Sequence, residues 1–339
     1  MPPLPKRPLR LAVFAPLPPQ ASGIADYMRD LLPHLAALAE VDLYIDGYTP
    51  DPEAVPPTCA VYPHREFVWR RAEREYDCAV YHLGNSPYHY YLYPYTYLYP
   101  GVAVLHDQYL HHLIAGLAEE GRSGFYLREM AYAAGGAAVD LGFTVMAGQF
   151  PVPFFTYPLN NRLLDASLGV AVHSRYLADI IGAQAGATPV GQIPMGIPLP
   201  PHPGDAAVLR EQLGLPAEAF IVGSFGVASR SKRIPQVLRA VQHLVQAGVD
   251  VHYLVVGSIS LEYDLPAEVA ELGLTEHVTV TGYVPEADYN AYLHAVDVCV
   301  NLRYPTAGET SAAALRSMAS GRPTLVSNVG TYRELPDDA

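Results

Sequence analysis

Phe220-Ile221-Val222-Gly223-Ser224-Phe225-Gly226 is an apolar run that ends on a glycine, and a small, basic loop at 227–233 and a helical pattern at 235–247 follow it. A short continuous apolar run bounded by a turn residue reads as a strand buried on both faces. Strand, loop and helix in that order predict a parallel βα unit. The alternation continues downstream: strands at 251–256 and 277–281, a helix at 288–295, a strand at 296–302, a helix at 311–320 and a strand at 323–327.

The same rhythm is present upstream. The run from Leu9 to Phe14 stops at Pro16, and Ile24, Tyr27, Leu31, Leu35 and Leu38 then form one helical face. Strands read at 41–45, 78–81, 102–105 and 168–172. Three of them close on polar residues: His82 with Asn85, His106 with Asp107, and His173 with Ser174. Parallel α/β sheets place ligands past such strand ends. Residues 107–162 read as mixed helices with an Ala/Gly run at 131–138, and nine tyrosines between Tyr76 and Tyr99 read as an irregular, half-buried segment. Five prolines and two glycines within 192–204 mark a linker. The expected architecture is α/β, with two doubly wound Rossmann-like domains, 1–191 and 205–339, facing a cleft.

Composition narrows the function. At 339 residues the chain exceeds one ordinary core. A net charge of −13 excludes a nucleic-acid partner, since phosphate backbones demand surplus Lys and Arg. Cys59, Cys78 and Cys299 are odd in number and widely spaced, which predicts reduced thiols and neither a disulfide framework nor a metal site. His111-His112 lacks a third ligand at diagnostic spacing and reads as a helix surface. The proline-rich, basic N-terminus has no apolar region behind it, and no run of about 18 apolar residues occurs. The expectation is a cytoplasmic protein, with peripheral membrane contact left open.

The stretch Leu302-Arg303-Tyr304-Pro305-Thr306-Ala307-Gly308-Glu309-Thr310-Ser311 feeds a strand through small residues into a helix. The first helix amides lack intrahelical partners and carry the positive dipole end, so a diphosphate placed there is stabilised. Small residues at Ser311 and Ala312 leave room for it. An ordinary N-cap at Thr310 or Ser311 accounts for the spacing equally well. The basic run Arg230-Ser231-Lys232-Arg233 reads by itself as a solvated loop.

Together with Met318-Ala319-Ser320-Gly321-Arg322-Pro323, this stretch resembles the donor-binding region of glycosyltransferase family 4, the group 1 glycosyl transferases of GT-B fold. The likeness extends over most of the chain. Ser22-Gly23-Ile24-Ala25 is similar to the N-terminal glycine loop, His106-Asp107 to the active-site histidine region, and Ile193-Pro194-Met195-Gly196-Ile197-Pro198 to the interdomain linker. Residues 226–233 resemble the loop that carries basic residues to the diphosphate, and Gly282-Tyr283-Val284 the loop beside the base.

The resemblance implies retaining, metal-independent transfer of a sugar from a UDP- or GDP-type nucleotide-sugar, with no cofactor, to a carbohydrate, lipid-linked or small-molecule acceptor. It implies catalytic roles for His106 and Glu309. Donor contacts would come from Gly226, Arg230, Lys232, Tyr283, Val284, Gly308, Thr310, Ser311 and Ala312, and the acceptor side from Gly23, His82 and Asn85. Two departures stand out. The family's paired glutamates fall here on Gly308, beside Glu309, and on Arg316. The chain also ends where relatives usually continue, so an incomplete second domain is expected. Those departures motivate an alternative, a non-catalytic GT-B module that binds nucleotide-sugar or polysaccharide as a partner subunit. A nicotinamide-dependent dehydrogenase is disfavoured because no Gly-x-Gly-x-x-Gly follows the first strand.

Overall fold

The computed structural model describes residues 7–119, 121, 123–199 and 203–336. Residues 1–6 of the basic N-terminus, 200–202 of the expected linker, and 337–339 lie outside the described residues. The chain divides into two compact units. One runs to Gly196 and takes in Ala307–Thr310; the other comprises Ile197–Thr306 and the residues from Ser311 onward.

The first unit runs β1 (Leu9–Phe14), α1 (Gly23–Ala36), β2 (Ala39–Ile45), β3 (Ala60–Pro63), α2 (Phe67–Glu73), β4 (Cys78–Leu83), α3 (Tyr93–Leu98) and β5 (Val102–Leu105). Four helices follow: α4 (His111–Glu119), α5 (Ser123–Ala134), α6 (Gly136–Met146) and α7 (Asn161–Ala166). Then come β6 (Gly169–Val172), α8 (Arg175–Gln184) and β7 (Val190–Gln192). The seven strands are parallel, in the order β3-β2-β1-β4-β5-β6-β7. The order reverses between β1 and β4, which is where open α/β sheets form a ligand crevice.

Alternation along β1 fills both faces of this sheet. Leu11 and Val13 pack with Met28 and Leu32 of α1, while Ala12 and Phe14 join a larger aromatic core. The buried residues of α1 are Ala25, Met28 and Leu32, with Ile24, Tyr27, Leu31 and Leu35 packed beside them. Leu38, expected on the apolar face, is 78% exposed because the helix stops at Ala36. The tyrosine-rich segment is ordered by its phenols: Tyr81 Oη donates to Tyr99 O at 2.7 Å, and Tyr91 Oη to Tyr44 O at 2.9 Å. The Ala/Gly run at 131–138 is not one helix, because Gly135 adopts φ 73° and separates α5 from α6.

His111 is buried, a correction to its expected surface position. Its Nδ1 donates to Tyr157 O at 2.7 Å, so the neutral ring accepts from Tyr126 Oη at Nε2, 2.9 Å away. Burial lowers its pKa to about 4. His112 remains exposed.

The second unit contains α9 (Ala206–Leu213), β8 (Phe220–Phe225), α10 (Ile234–Gln246), β9 (Val251–Val256), α11 (Leu265–Glu271), β10 (Val278–Gly282), α12 (Glu286–Ala295), β11 (Val298–Asn301), α13 (Ala312–Ala319) and β12 (Thr324–Val326). Its five strands are parallel, in the order β10-β9-β8-β11-β12, so its reversal lies between β8 and β11. Apolar clusters cover both faces, and β9 is buried throughout. Among the described residues, no helix is long and apolar enough to cross a membrane.

Candidate functional site

In the second unit, four of the expected donor residues, Gly226, Lys232, Ser311 and Ala312, lie on the segments that follow β8 and β11, the strands flanking the reversal. The β8 strand delivers Phe225 and then Gly226 at φ 85°, a left-handed conformation that favours glycine. The loop turns back so that Lys232 Nζ donates to Phe225 O at 3.0 Å. A Cβ on Gly226 would lie 2.7 Å from that ammonium, so Gly226 and Lys232 share one space. Arg230 is directed elsewhere, with its guanidinium 5.3 Å from the Tyr263 ring. Arg233 takes φ 60° and starts α10, where Pro235 occupies a first-turn position that needs no donor.

The loop after β11 is tied to this basic loop. The Tyr304 amide donates to Ser231 O at 2.8 Å, and Arg233 lies 5.7 Å from the Tyr304 ring. Ser311 then caps α13: its Oγ accepts from Ala314 N at 3.2 Å and donates to Asn301 Oδ1 at 3.1 Å. Tyr332 Oη also donates to Asn301 Oδ1, at 2.5 Å. The strand end therefore fixes the entry angle of the helix. The cap reading is correct as structure, and the amides of the half-buried Ala312 and its neighbours still open the helix at the reversal point.

Tyr283 is 76% exposed beyond β10, whereas Val284 packs against the core. Arg316 faces α12, where its Nη1 lies 3.4 Å from Glu286 Oε1 and its guanidinium 5.8 Å from the Tyr289 ring. Sequence reasoning missed Asn301, Tyr304 and Glu286. Their bonds join residues 10 to 73 positions apart, and no local pattern encodes such pairs.

The first unit gathers the expected histidines. His82, near the end of β4, and His106, just past β5, share a hydrogen bond between Nδ1 and Nε2 at 3.2 Å. The His173 ring, past β6, lies 4.7 Å from that of His106, and Tyr27 of α1 meets both His106 and His173 at 5.2 Å. Parallel pairing of β4, β5 and β6 brings the three histidines together at the carboxyl ends of these strands. His89 Nδ1 donates to His82 O at 3.0 Å, and His173 Nδ1 to Ile193 O at 2.9 Å.

Burial disfavours the charged imidazoles here, and neighbouring histidines add to the effect. The pKa of His82 falls to about 3 and that of His89 to about 4; His106 is held well below its ordinary value and His173 is lowered. Neutral rings of this kind exchange hydrogen bonds with hydroxyls and carry no fixed charge at pH 7. Among the described residues, no group of three His, Cys, Asp or Glu side chains is placed to hold a metal ion.

Asn85 follows β4. Its backbone N donates to Asp107 Oδ2 at 2.8 Å, and its Oδ1 accepts from Leu113 N at 2.9 Å. Its Nδ2 lies 2.7 Å from His112 Nδ1. Gly23 opens α1 with nothing within 4 Å of a notional Cβ, so no close contact demands glycine there. Gly84 is different: a Cβ would strike Ile24 at 2.3 Å and approach Asp107 and His89 at 3.2 Å.

Gly308, Glu309 and Thr310 group with this unit. Gln108 N donates to Ala307 O at 2.9 Å, and a Cβ on Gly308, at φ 77°, would lie 3.0 Å from Gln108 Cβ. The carboxylate of Glu309 folds back on its own loop and accepts from Ala307 N at 2.8 Å.

Comparison with known proteins agrees with this architecture. Residues 205–339 match the sequence model of the family described as Glycosyl transferases group 1. A 2-deoxystreptamine glucosyltransferase of Streptomyces kanamyceticus is 33% identical over 130 residues, which are 38% of this chain. That match spans 33% of the relative's length. A sucrose-phosphate synthase from Thermosynechococcus elongatus superposes with TM-score 0.66 at 18% identity, covering 96% of this chain and 83% of that one. Anabaena HepE in complex with UDP and glucose gives 0.64 at 19% identity, covering 97% and 83%. Residues 205–339 thus match the group 1 glycosyl transferases in sequence, and the two parallel-sheet units have the GT-B fold of the solved glycosyltransferases.

Proposed function

We propose that the protein transfers a hexosyl group from a UDP- or GDP-type nucleotide-sugar to a carbohydrate, lipid-linked or small-molecule acceptor, with retention of anomeric configuration and without a metal. The observation that carries this reading is that Gly226 with Lys232, past β8, and the N-terminus of α13, past β11, follow the two strands of the reversal, with their loops joined by the Tyr304 N–Ser231 O bond. Breaking a glycosyl–phosphate bond develops negative charge on the departing diphosphate. A cation and helix-end amides aimed at that charge bind the transition state better than the ground state. Lys232 supplies the charge, Gly226 and Ala312 leave the backbone accessible, and Ser311 holds the helix end in place.

Arg230, Tyr283 and Val284 take the remainder of the nucleotide in this reading. Gly308, Glu309 and Thr310 face the sugar, and neutral His106 contacts it near the reacting carbon. Gly23, His82 and Asn85 serve the acceptor. HepE was solved with UDP and glucose, and the Streptomyces relative is a glucosyltransferase, which favours a UDP-glucose-like donor. A cytoplasmic site of action fits that donor class.

The experiment is a thermal-shift panel of UDP, GDP and their hexose derivatives, followed by donor hydrolysis with and without Lys232→Ala. One nucleotide series raises the melting temperature, and the variant loses about 100-fold or more in turnover. Unchanged turnover in the variant removes Lys232 from the site. A second reading, a non-catalytic nucleotide-sugar-binding module, is motivated by Arg316, whose guanidinium is held by Glu286 where the family carries an acid. Donor binding without turnover across an acceptor panel would favour it.

A further inference from the structure

We propose, resting on the transferase reading, that the side-chain amide of Gln108 binds a hydroxyl of the transferred sugar and selects an uncharged hexosyl group over a hexuronosyl one. Gln108 lies just past β5, on the same loop as His106. Its N donates to Ala307 O at 2.9 Å and its O accepts from Asn160 Nδ2 at 2.8 Å, so both main-chain groups are fixed. The side-chain amide, by contrast, makes no hydrogen bond to any of the described residues. Gln108 is only 8% exposed. An enclosed amide left without a partner costs stability, and folded chains pair nearly all such groups. One that is kept unpaired beside a ligand crevice has its partner in the ligand.

Gly308 sets where that amide lies. At φ 77° its backbone is left-handed, and a Cβ there would lie 3.0 Å from Gln108 Cβ, 3.3 Å from Gln108 Oε1 and 3.3 Å from Leu177 Cδ1. Gln108 therefore fills the space that a side chain at 308 would need. Its amide is brought to the loop that carries Glu309 and Thr310. His106 and Gln108 both leave the carboxyl end of β5, the end at which parallel sheets hold ligands.

The chemistry of the amide names the ligand class. It offers donors and an acceptor but no charge, and a sugar hydroxyl is likewise donor and acceptor. A sugar carboxylate would gain no cation from Gln108, and the chain neighbours Asp107 and Glu309 are both acids. Burial keeps the His106 ring neutral, so it adds no positive charge. A site that hydrogen-bonds a substrate hydroxyl discriminates strongly, because the wrong ligand leaves its polar group unpaired.

The test is calorimetric titration of the whole chain with UDP, UDP-glucose and UDP-glucuronate, and with GDP and GDP-mannose, before and after Gln108→Met. Methionine matches glutamine in length and lacks the polar tip; Gln108→Leu is a second probe of different shape. Wild type is expected to bind the hexosyl form about tenfold or more tighter than the hexuronosyl form. Gln108→Met lowers affinity for the nucleotide-hexose about tenfold and leaves that for the bare nucleotide unchanged. Its melting temperature stays level or rises, since an apolar tip replaces an unpaired amide. An unchanged ratio of nucleotide-hexose to nucleotide affinity in both variants overturns the proposal, as does a wild type that prefers the hexuronosyl form. Equal loss of hexose and bare-nucleotide affinity with a lowered melting temperature also overturns it, assigning Gln108 to packing alone. A wild type that binds none of these nucleotides overturns the transferase reading itself and the proposal with it, a result distinct from the other three.

Discussion

Lys232 occupies the space that a side chain on Gly226 would need. Its Nζ bonds Phe225 O at 3.0 Å and lies 2.7 Å from a notional Gly226 Cβ. Gly226→Ala is therefore expected to expel the ammonium and to strain a backbone at φ 85°. The strain costs about 1 kcal/mol of stability. Donor affinity falls further, by about tenfold or more, because the cation is displaced. Calorimetry with UDP or GDP, beside a denaturant melt, separates the two effects; affinity equal to wild type would show that Lys232 does not bind the donor.

Ser311 has two roles that substitution can separate. Ser311→Ala removes the cap of α13 and costs about 1 kcal/mol. Ser311→Asp keeps an acceptor for Ala314 N and suits the helix dipole but loses the bond donated to Asn301 Oδ1, so stability also falls by about 1 kcal/mol. The new carboxylate would repel a diphosphate at the same helix end. A folded Asp variant that still binds nucleotide with wild-type affinity would move the phosphate site away from α13.

Arg210 and Asp297 hold the second unit together. Arg210 Nη2 meets Asp297 Oδ2 at 2.8 Å, Nε donates to Ala295 O at 2.9 Å, and Asp297 also accepts from Ile221 N at 2.7 Å. Arg210→Ala removes the donors to Ala295 O and Asp297, which keeps its bond from Ile221 N, and should destabilise by about 2 kcal/mol. Urea unfolding measures the loss, and a change within 0.5 kcal/mol, about the level of an ordinary surface substitution, would contradict it.

Stability should fall on acidification below neutrality. His82, His89, His106, His111 and His173 all have lowered pKa values in the folded chain. Unfolding restores them to about 6.5, so the unfolded state binds more protons below that pH. Their effect is absent above about pH 7 and grows between about 6.5 and 4, lowering the melting temperature. His106→Gln reduces the slope in this window. A flat profile from pH 7 to 5 would mean that these rings are hydrated.

Strand positions were partly legible. The β8 run and the β1 run are apolar because their strands are covered on both faces, and such runs stand out in a chain where few residues are charged. Short edge strands such as β3 and β7 were missed, since Ala60–Pro63 and Val190–Gln192 are half-buried or exposed and lack a continuous apolar signature. Ser311 was legible as a cap from the chemistry of its hydroxyl. Its bond to Asn301 was not, since the β11 strand end comes near it only after folding.

From the sequence alone followed two α/β units, the scarcity of charge, the basic loop and the small-residue entry to α13. These are local matters of periodicity, side-chain size and backbone preference. Tertiary structure decided that Lys232 folds over Gly226, that Arg316 turns to Glu286, and that four histidines lie together in one buried cluster. It also decided that His111 is buried and the phenylalanines of residues 143–155 are largely not. Those outcomes depend on which strands become neighbours and how much water each side chain loses, and neither quantity is carried by a residue or its nearest neighbours.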